Sequence, residues 1–194
     1  PFMPEPIRLD GPWPVRFESR VQPPKPTVFN ELKSLTEHED PDVKAFSGTA
    51  VYQKTVHVTA DRLADSNRLV LDLGRVEVMA RVLVNGQDLG VLWKNPYRLD
   101  ITRALRAGDN QLEIRVTNLW VNRIIADEAY EEDCTWQGTA MAEWPPWLVK
   151  GQTRPSRQRQ TFYTWKHWSK DDPLLPSGLI GPVTLRTGQL RPIQ

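Results

Sequence analysis

Hydrophobic and polar residues alternate with period two in several short runs of this chain. In Arg68-Leu69-Val70-Leu71-Asp72-Leu73 the three leucines fall on one face and Asp72 on the other, the pattern of a half-buried strand. The run Val78 to Val84 sets Val78, Ala80, Val82 and Val84 on one side and ends at Asn85-Gly86, the dipeptide best suited to a tight hairpin turn. A return strand is predicted from Gln87 to Trp93. Gln111 to Thr117 alternates again, with Leu112, Ile114 and Val116 inward, after the turn-forming Gly108-Asp109-Asn110. Gly48 to Val58 is rich in Val, Thr and Tyr, which suit a pleated surface, and Trp13 to Glu18 and Gly181 to Arg186 bring the set to about eight strands. Short strands divided by turns, without alternating long helices, predict an all-β fold: an antiparallel jelly-roll β-sandwich.

Two stretches break the pattern. Residues 19–46 carry Pro23-Pro24, Pro26 and the acidic TEHEDPD at 36–42, and are predicted to be surface loop with one helical turn around Phe29 to Leu35. Residues 119–178 form a long loop of the kind that is usually functional or disordered. Disorder is excluded by composition, because Trp120, Trp136, Trp144, Trp147, Trp165 and Trp168 lie here, six of the chain's 8 tryptophans.

Composition narrows the function. The 194 residues hold 25 Lys plus Arg against 24 Asp plus Glu, so no net field steers a nucleic acid. The single Cys134 forms no internal disulfide, and His38, His57 and His167 lack zinc-ligand spacing. No apolar run is long enough for a membrane span, and the start PFMPEPIRLDG has no basic-then-apolar leader. The length fits one domain over 1–194, and the first residue is not Met, so the chain is read as part of a larger protein.

Catalytic signatures are missing. There is no Gly-x-Ser-x-Gly elbow and no Gly-x-Gly phosphate loop, and Ser177 has no nearby His in sequence. Cys134 follows Glu131-Glu132-Asp133, whose negative charge suppresses a thiolate. A glycosidase acid pair cannot be chosen by spacing among 24 acids. The cluster Asp127, Glu128, Glu131, Glu132 and Asp133 has the oxygen chemistry of a structural calcium site but not the alternate-residue spacing, and a solvated acidic face is the preferred reading. Lys150, Arg154, Arg157, Arg159, Lys166 and Lys170 form a basic counterpart, open either to an anionic polysaccharide or to that acidic cluster.

The tryptophans remain. A pyranose packs its C–H face on a flat ring while amides, carboxylates and guanidinium groups bond its hydroxyls. Trp93, Trp144, Trp147, Trp165 and Trp168 are therefore stacking candidates, Asn122 and Arg123 donors, and Asp127 an acceptor for hydroxyls or a cation. Trp13 and Trp120, beside apolar neighbours, are expected to be core plugs. Arg123 has a second reading, an ion pair with Asp127 or Glu128 along one helical turn.

The stretch LDLGRVEVMARVLVNGQDLGVLWKNPYRLDITRALRAGDNQLEIRVTNLWVNRIIADE resembles the sugar-binding-type, galactose-binding-like jelly roll of family 2 glycoside hydrolases and their relatives. Trp93-Lys94-x-Pro96-Tyr97 and Asn118-Leu119-Trp120-x-Asn122-Arg123 narrow this to a likeness with the C-terminal β-sandwich of family 106 α-L-rhamnosidases. Phe46-Ser47-Gly48-Thr49-Ala50-x-Tyr52 and Pro176 to Val183 fit the same pattern, so the similarity runs from about residue 11 to residue 187. Relatives continue Leu-Ile-Gly-Asp where this chain has Ile124-Ile125-Ala126-Asp127. The resemblance implies hydrolysis by residues outside this chain, no catalytic residue within it, and secretion or export to the periplasm. Two roles are expected of it: a carbohydrate-binding module whose tryptophans hold a polysaccharide or oligosaccharide, or a structural accessory domain whose tryptophans pack on the catalytic domain.

Overall fold

The computed structural model describes residues 5–20, 22–64, 67–156 and 158–189. In chain order its strands are β1 (Ile7–Arg8), β2 (Trp13–Glu18), β3 (Thr27–Phe29), β4 (Thr49–Val58), β5 (Asn67–Asp72), β6 (Arg75–Glu77), β7 (Met79–Val84), β8 (Gln87–Leu92), β9 (Arg98–Asp100), β10 (Gly108–Thr117), β11 (Trp136–Gln137), β12 (Ala140–Met141), β13 (Gly178–Gly181) and β14 (Thr184–Gln189). Three short helices accompany them, α1 (Pro41–Lys44), α2 (Val121–Asp127) and α3 (Pro146–Val149). A six-stranded sheet in the order β3-β2-β4-β10-β7-β8 faces a four-stranded one, β1-β14-β5-β9, and every strand pair is antiparallel. The small pair β6-β13 bridges the sheets at one end.

Period-two alternation drives this arrangement. Along β10 the residues Leu112, Ile114 and Val116 are buried while Glu113 and Arg115 point outward, and β2 buries Trp13, Val15 and Phe17 in the same way. These inner faces meet Leu69 and Leu71 of β5, Leu185 of β14 and Leu179 of β13 in one core. Burying each such side chain contributes about 1.5–3 kcal/mol relative to leaving it in water. Trp13, 1% exposed, fills the core as expected, its indole Nε1 donating to Leu9 O at 3.2 Å. The Asn85-Gly86 turn forms as predicted, with φ of 52° and 82°, a left-handed pair that only this kind of dipeptide accepts cheaply.

The outer faces are closed by charge rather than by apolar cover. On the six-stranded sheet Arg115 bonds Glu113 at 2.6 Å and approaches Glu18 at 3.7 Å, Arg16 reaches Glu113 at 3.6 Å, and Arg81 meets Asp88 at 3.2 Å. On the other sheet Asp72 holds Arg98 at 2.8 Å and Arg186 at 3.2 Å.

Three expectations are corrected here. The predicted strand 181–186 is two strands, β13 and β14, divided at Pro182-Val183, because proline supplies no ladder donor. The helical turn expected at Phe29 to Leu35 lies later: Thr27–Phe29 is strand, and helical turns form at Leu35–Glu37 and at α1, where Asp40 accepts from Asp42 N at 2.9 Å and Pro41 occupies the first turn. Residues 119–178 are not one loop, since they hold α2, the ribbon β11-β12 and α3.

Candidate functional site: the tryptophan-rich insert

The insert is fastened at its root by side chains bonding backbone. Asn118 accepts from Gly48 N at 2.9 Å and donates to Phe46 O and Ser177 Oγ, each at 2.7 Å, while Ser47 donates to Leu119 O at 2.9 Å. Asn122 forms a reciprocal pair with the backbone of Leu175, its amide donating to the carbonyl and its carbonyl accepting from the N–H, both at 2.8 Å. Both ends of the insert are thus tied to each other and to the Phe46-Ser47-Gly48 string. Gly178 completes the joint: its φ is 93°, and a Cβ there would stand 2.6 Å from the Tyr52 hydroxyl.

Within the insert, acids of α2 and the following segment meet the bases some thirty residues on. Asp127, 0% exposed, accepts from Gln160 N and Thr161 N at 2.7 Å each and from Thr161 Oγ1 at 2.8 Å. Its other oxygen lies 3.0 Å from Arg123 Nε, one helical turn back, but off the hydrogen-bond axis, so this contact is an ion pair and not an aligned hydrogen bond. Glu128 receives Arg159 at 2.9 Å, Lys166 at 3.1 Å and the Tyr163 hydroxyl. Burial works against its charge, yet these three donors win and hold the carboxyl below the usual carboxylate range. For Tyr163, burial first and then Glu128 push the phenol up. Arg154 clamps Asp133 with two bonds, 2.5 and 3.0 Å, and ties back to Thr161 O at 2.6 Å, and this guanidinium lowers the Asp133 pKa. Arg159 also donates to Glu131 O at 3.0 Å and Tyr130 O at 3.1 Å, and Lys166 pairs with Glu132.

These contacts join part of the acidic run to part of the basic one: Arg154, Arg159 and Lys166 take Asp133, Glu128 and Glu132. The solvated acidic face is corrected for Glu128, Asp133 and Asp127, which are buried against the chain's own cations, while Glu131 and Glu132 stay exposed. Arg157 lies outside the described residues. Among the described residues no group of three or more His, Cys, Asp or Glu converges as a cation site. Burial, with Asp133 adding to it, raises the Cys134 thiol, in keeping with an unreactive cysteine.

The sugar-facing residues expected from sequence therefore divide in two. Asn122, Arg123 and Asp127 are corrected: all three are buried and spent on the insert's own structure, Arg123 pairing with Asp127 and not Glu128. Trp93, Trp144 and Trp165 are exposed, whereas Trp147 and Trp168 are half-buried. They do not converge into one platform. Trp93 stands at the far end of β8 beneath Lys94, 5.2 Å from its ring. Trp165 bridges to Ala140, extending the small ribbon, and Trp168 packs edge-on to His167. Trp136 stacks on Tyr163 at 5.7 Å. Trp120 is no core plug: it is 46% exposed, because β10 ends three residues before it and the chain turns into α2.

One aromatic group does assemble. Trp144 stacks against Phe162 at 6.5 Å, and Trp147 meets the same ring edge-on at 5.8 Å while Arg154 stands over the Trp147 ring at 5.5 Å. Trp144 is 60% exposed, Phe162 40%, and α3 adds Leu148 and Val149, the latter 70% exposed. Phe162 was not singled out in the sequence, although Phe162-Tyr163 between two threonines, just before Trp165, is an aromatic run of its own. The result is a mixed aromatic and aliphatic patch on the outside of the insert.

Residues 32–181 match the family described as glycosyl hydrolase 2 galactose-binding domain-like. The chain belongs to this family. A protein of Formosa agariphila, provisionally named a beta-glucuronidase, is 47% identical over 183 residues, which are 94% of this chain but 16% of that relative. Among solved structures, a rhamnosidase from Novosphingobium sp. PP1Y is 38% identical with a TM-score of 0.75 over 94% of this chain and 15% of its own. A beta-glucuronidase from Bifidobacterium dentium, at 22% identity, TM-score 0.62, 95% of this chain and 30% of its own, shares the fold. This galactose-binding-like domain thus spans about a sixth of the length of the Formosa and Novosphingobium relatives.

Proposed function

We propose that the chain serves as a non-catalytic accessory domain of a glycoside hydrolase, seated on the rest of the enzyme through the outer face of its insert. The observation that carries this is the patch of Trp144, Phe162, Leu148 and Val149, whose aliphatic share suits a protein surface better than a sugar. A glycan platform needs donors and acceptors beside the ring. The groups expected to supply them, Asn122, Arg123 and Asp127, are consumed inside the insert. Both sheet faces, by contrast, carry neutralised ionic ladders of the kind that stay solvated. The relatives named for glucuronide and rhamnoside hydrolysis support a parent enzyme acting on uronate- or rhamnose-bearing glycans.

The double variant Trp144→Ser/Phe162→Ser tests the reading. In the parent enzyme it should lower the melting temperature by several degrees more than it does in the isolated chain, while a panel of rhamnose-, galactose-, xylose- and uronate-containing polysaccharides leaves the fluorescence of the isolated chain flat. Saturable binding of one polymer class, lost in the double variant, would instead make the patch the stacking surface of a carbohydrate-binding module.

A further inference from the structure

Lys54 lies on β4, and its ammonium meets the turn that joins β1 to β2. Nζ donates to three consecutive backbone carbonyls, Asp10 O at 2.5 Å, Gly11 O at 3.1 Å and Pro12 O at 3.3 Å. An ammonium carries three N–H donors, so the group is fully used. The same nitrogen stands over the Trp13 ring, 5.2 Å from its centre, and that indole is fixed by its own bond to Leu9 O at 3.2 Å. Consecutive carbonyls of an extended chain point opposite ways; Gly11, at φ 77°, breaks the alternation and lets the three converge. No other hydrogen bond reaches these carbonyls among the described residues. The turn also borders a cavity of about 680 Å³, lined in part by Leu9, Asp10 and Gly11, so packing does not fix it from that side. Burial pulls the Lys54 pKa down, and the charge of Asp10 opposes that.

We infer that the turn at residues 10–12 is a monovalent-cation site made of backbone carbonyls, with the Lys54 ammonium as its resident ion. Three carbonyl dipoles aimed at one point repel one another, and a compact positive charge between them offsets that; carbonyl rings hold K⁺ by the same chemistry. K⁺ resembles an ammonium in size and charge, so it is the free ion that suits the place once the side chain is removed. The nearest carboxylate, Asp10, is taken by Arg8 at 3.1 Å. The site therefore offers dipoles and an aromatic face rather than free carboxylates, which favours a monovalent ion over Ca²⁺ or Mg²⁺. Because the resident charge is tethered to β4, the native turn draws no ion from solution. No residue of the insert takes part, so the site is independent of how the Trp144 patch is covered.

The test compares thermal melts of the 194-residue chain with those of Lys54→Ala and Lys54→Met, at one ionic strength, in KCl and in tetramethylammonium chloride. The native chain should melt at the same temperature in both salts. Lys54→Ala should melt lower in tetramethylammonium chloride and regain at least half of that loss, saturably, in KCl. Lys54→Met, which fills the place with an uncharged stem, should lose stability and gain nothing from K⁺. Equal melting of Lys54→Ala in the two salts, or the same K⁺ response in the native chain or in Lys54→Met, would overturn the assignment. If Lys54→Ala does not fold in either salt, NMR of the native chain decides. The Lys54 Nζ–H protons should then exchange slowly with water and show couplings across their hydrogen bonds to the carbonyl carbons of residues 10–12. A freely exchanging ammonium without those couplings would overturn it too.

Discussion

Trp13 and Trp120 look alike in sequence, each an indole beside apolar neighbours, and the fold separates them. Trp13 lies on the inward phase of β2 and is sealed in the core, so Trp13→Ala should cost about 3–5 kcal/mol in urea unfolding. Trp120 stands outside the sandwich, and Trp120→Ala should change stability by no more than about 0.5 kcal/mol. Alternation distinguishes inside from outside only while a strand lasts, and β10 ends at Thr117. Asp127 shows the same limit from the polar side. Its type and spacing suited a sugar or a cation, but its partners Gln160 and Thr161 lie more than thirty residues on, beyond any local pattern. Asp127→Asn removes the charge that compensates buried Arg123 and should cost about 3–5 kcal/mol, the range for breaking a buried pair from one side.

At the scale of elements, strands with four or more alternating residues were legible, among them β2, β4, β5, β7, β8 and β10, with the hairpin turn at Asn85-Gly86. The strands β1, β3, β6, β9, β11 and β12, two or three residues each, were not, because no periodicity can show in so few positions. The insert was legible as an ordered, unusual segment and as matched acidic and basic runs, but not as α2 locked to residues 154–166 by ion pairs. That lock has a pH signature. Glu128 and Asp133 are held below the ordinary carboxylate range in the folded chain, so their contribution is present above the unfolded value, about 4 for a free carboxyl, and is lost as pH falls through their lowered values. Hydrogen-exchange protection factors, taken relative to the intrinsic rate at each pH, should therefore fall in residues 121–156 and 158–166 on acidification from pH 6 to pH 3 before those of the core strands β4 and β10 respond. A uniform fall across sandwich and insert would show that the ion pairs do not hold the insert as a separate unit.

For the whole molecule, the distribution of uncovered apolar surface gives the orientation. Two sheet faces end in paired charges, the core is closed around Trp13, Leu71 and Ile114, and the insert carries its aromatic and aliphatic patch outward. On the proposed reading, a galactose-binding-like sandwich so built contributes to a hydrolase by position, with the bond-breaking residues elsewhere in the parent. The most direct measurement of this is hydrogen exchange of the chain alone and within its parent enzyme. Docking through the insert predicts slower exchange at residues 144–149 and 160–163 in the parent, with the outer strands β7 and β8 unchanged. Equal exchange in both states at those residues, with protection instead on adding a polysaccharide, would contradict it.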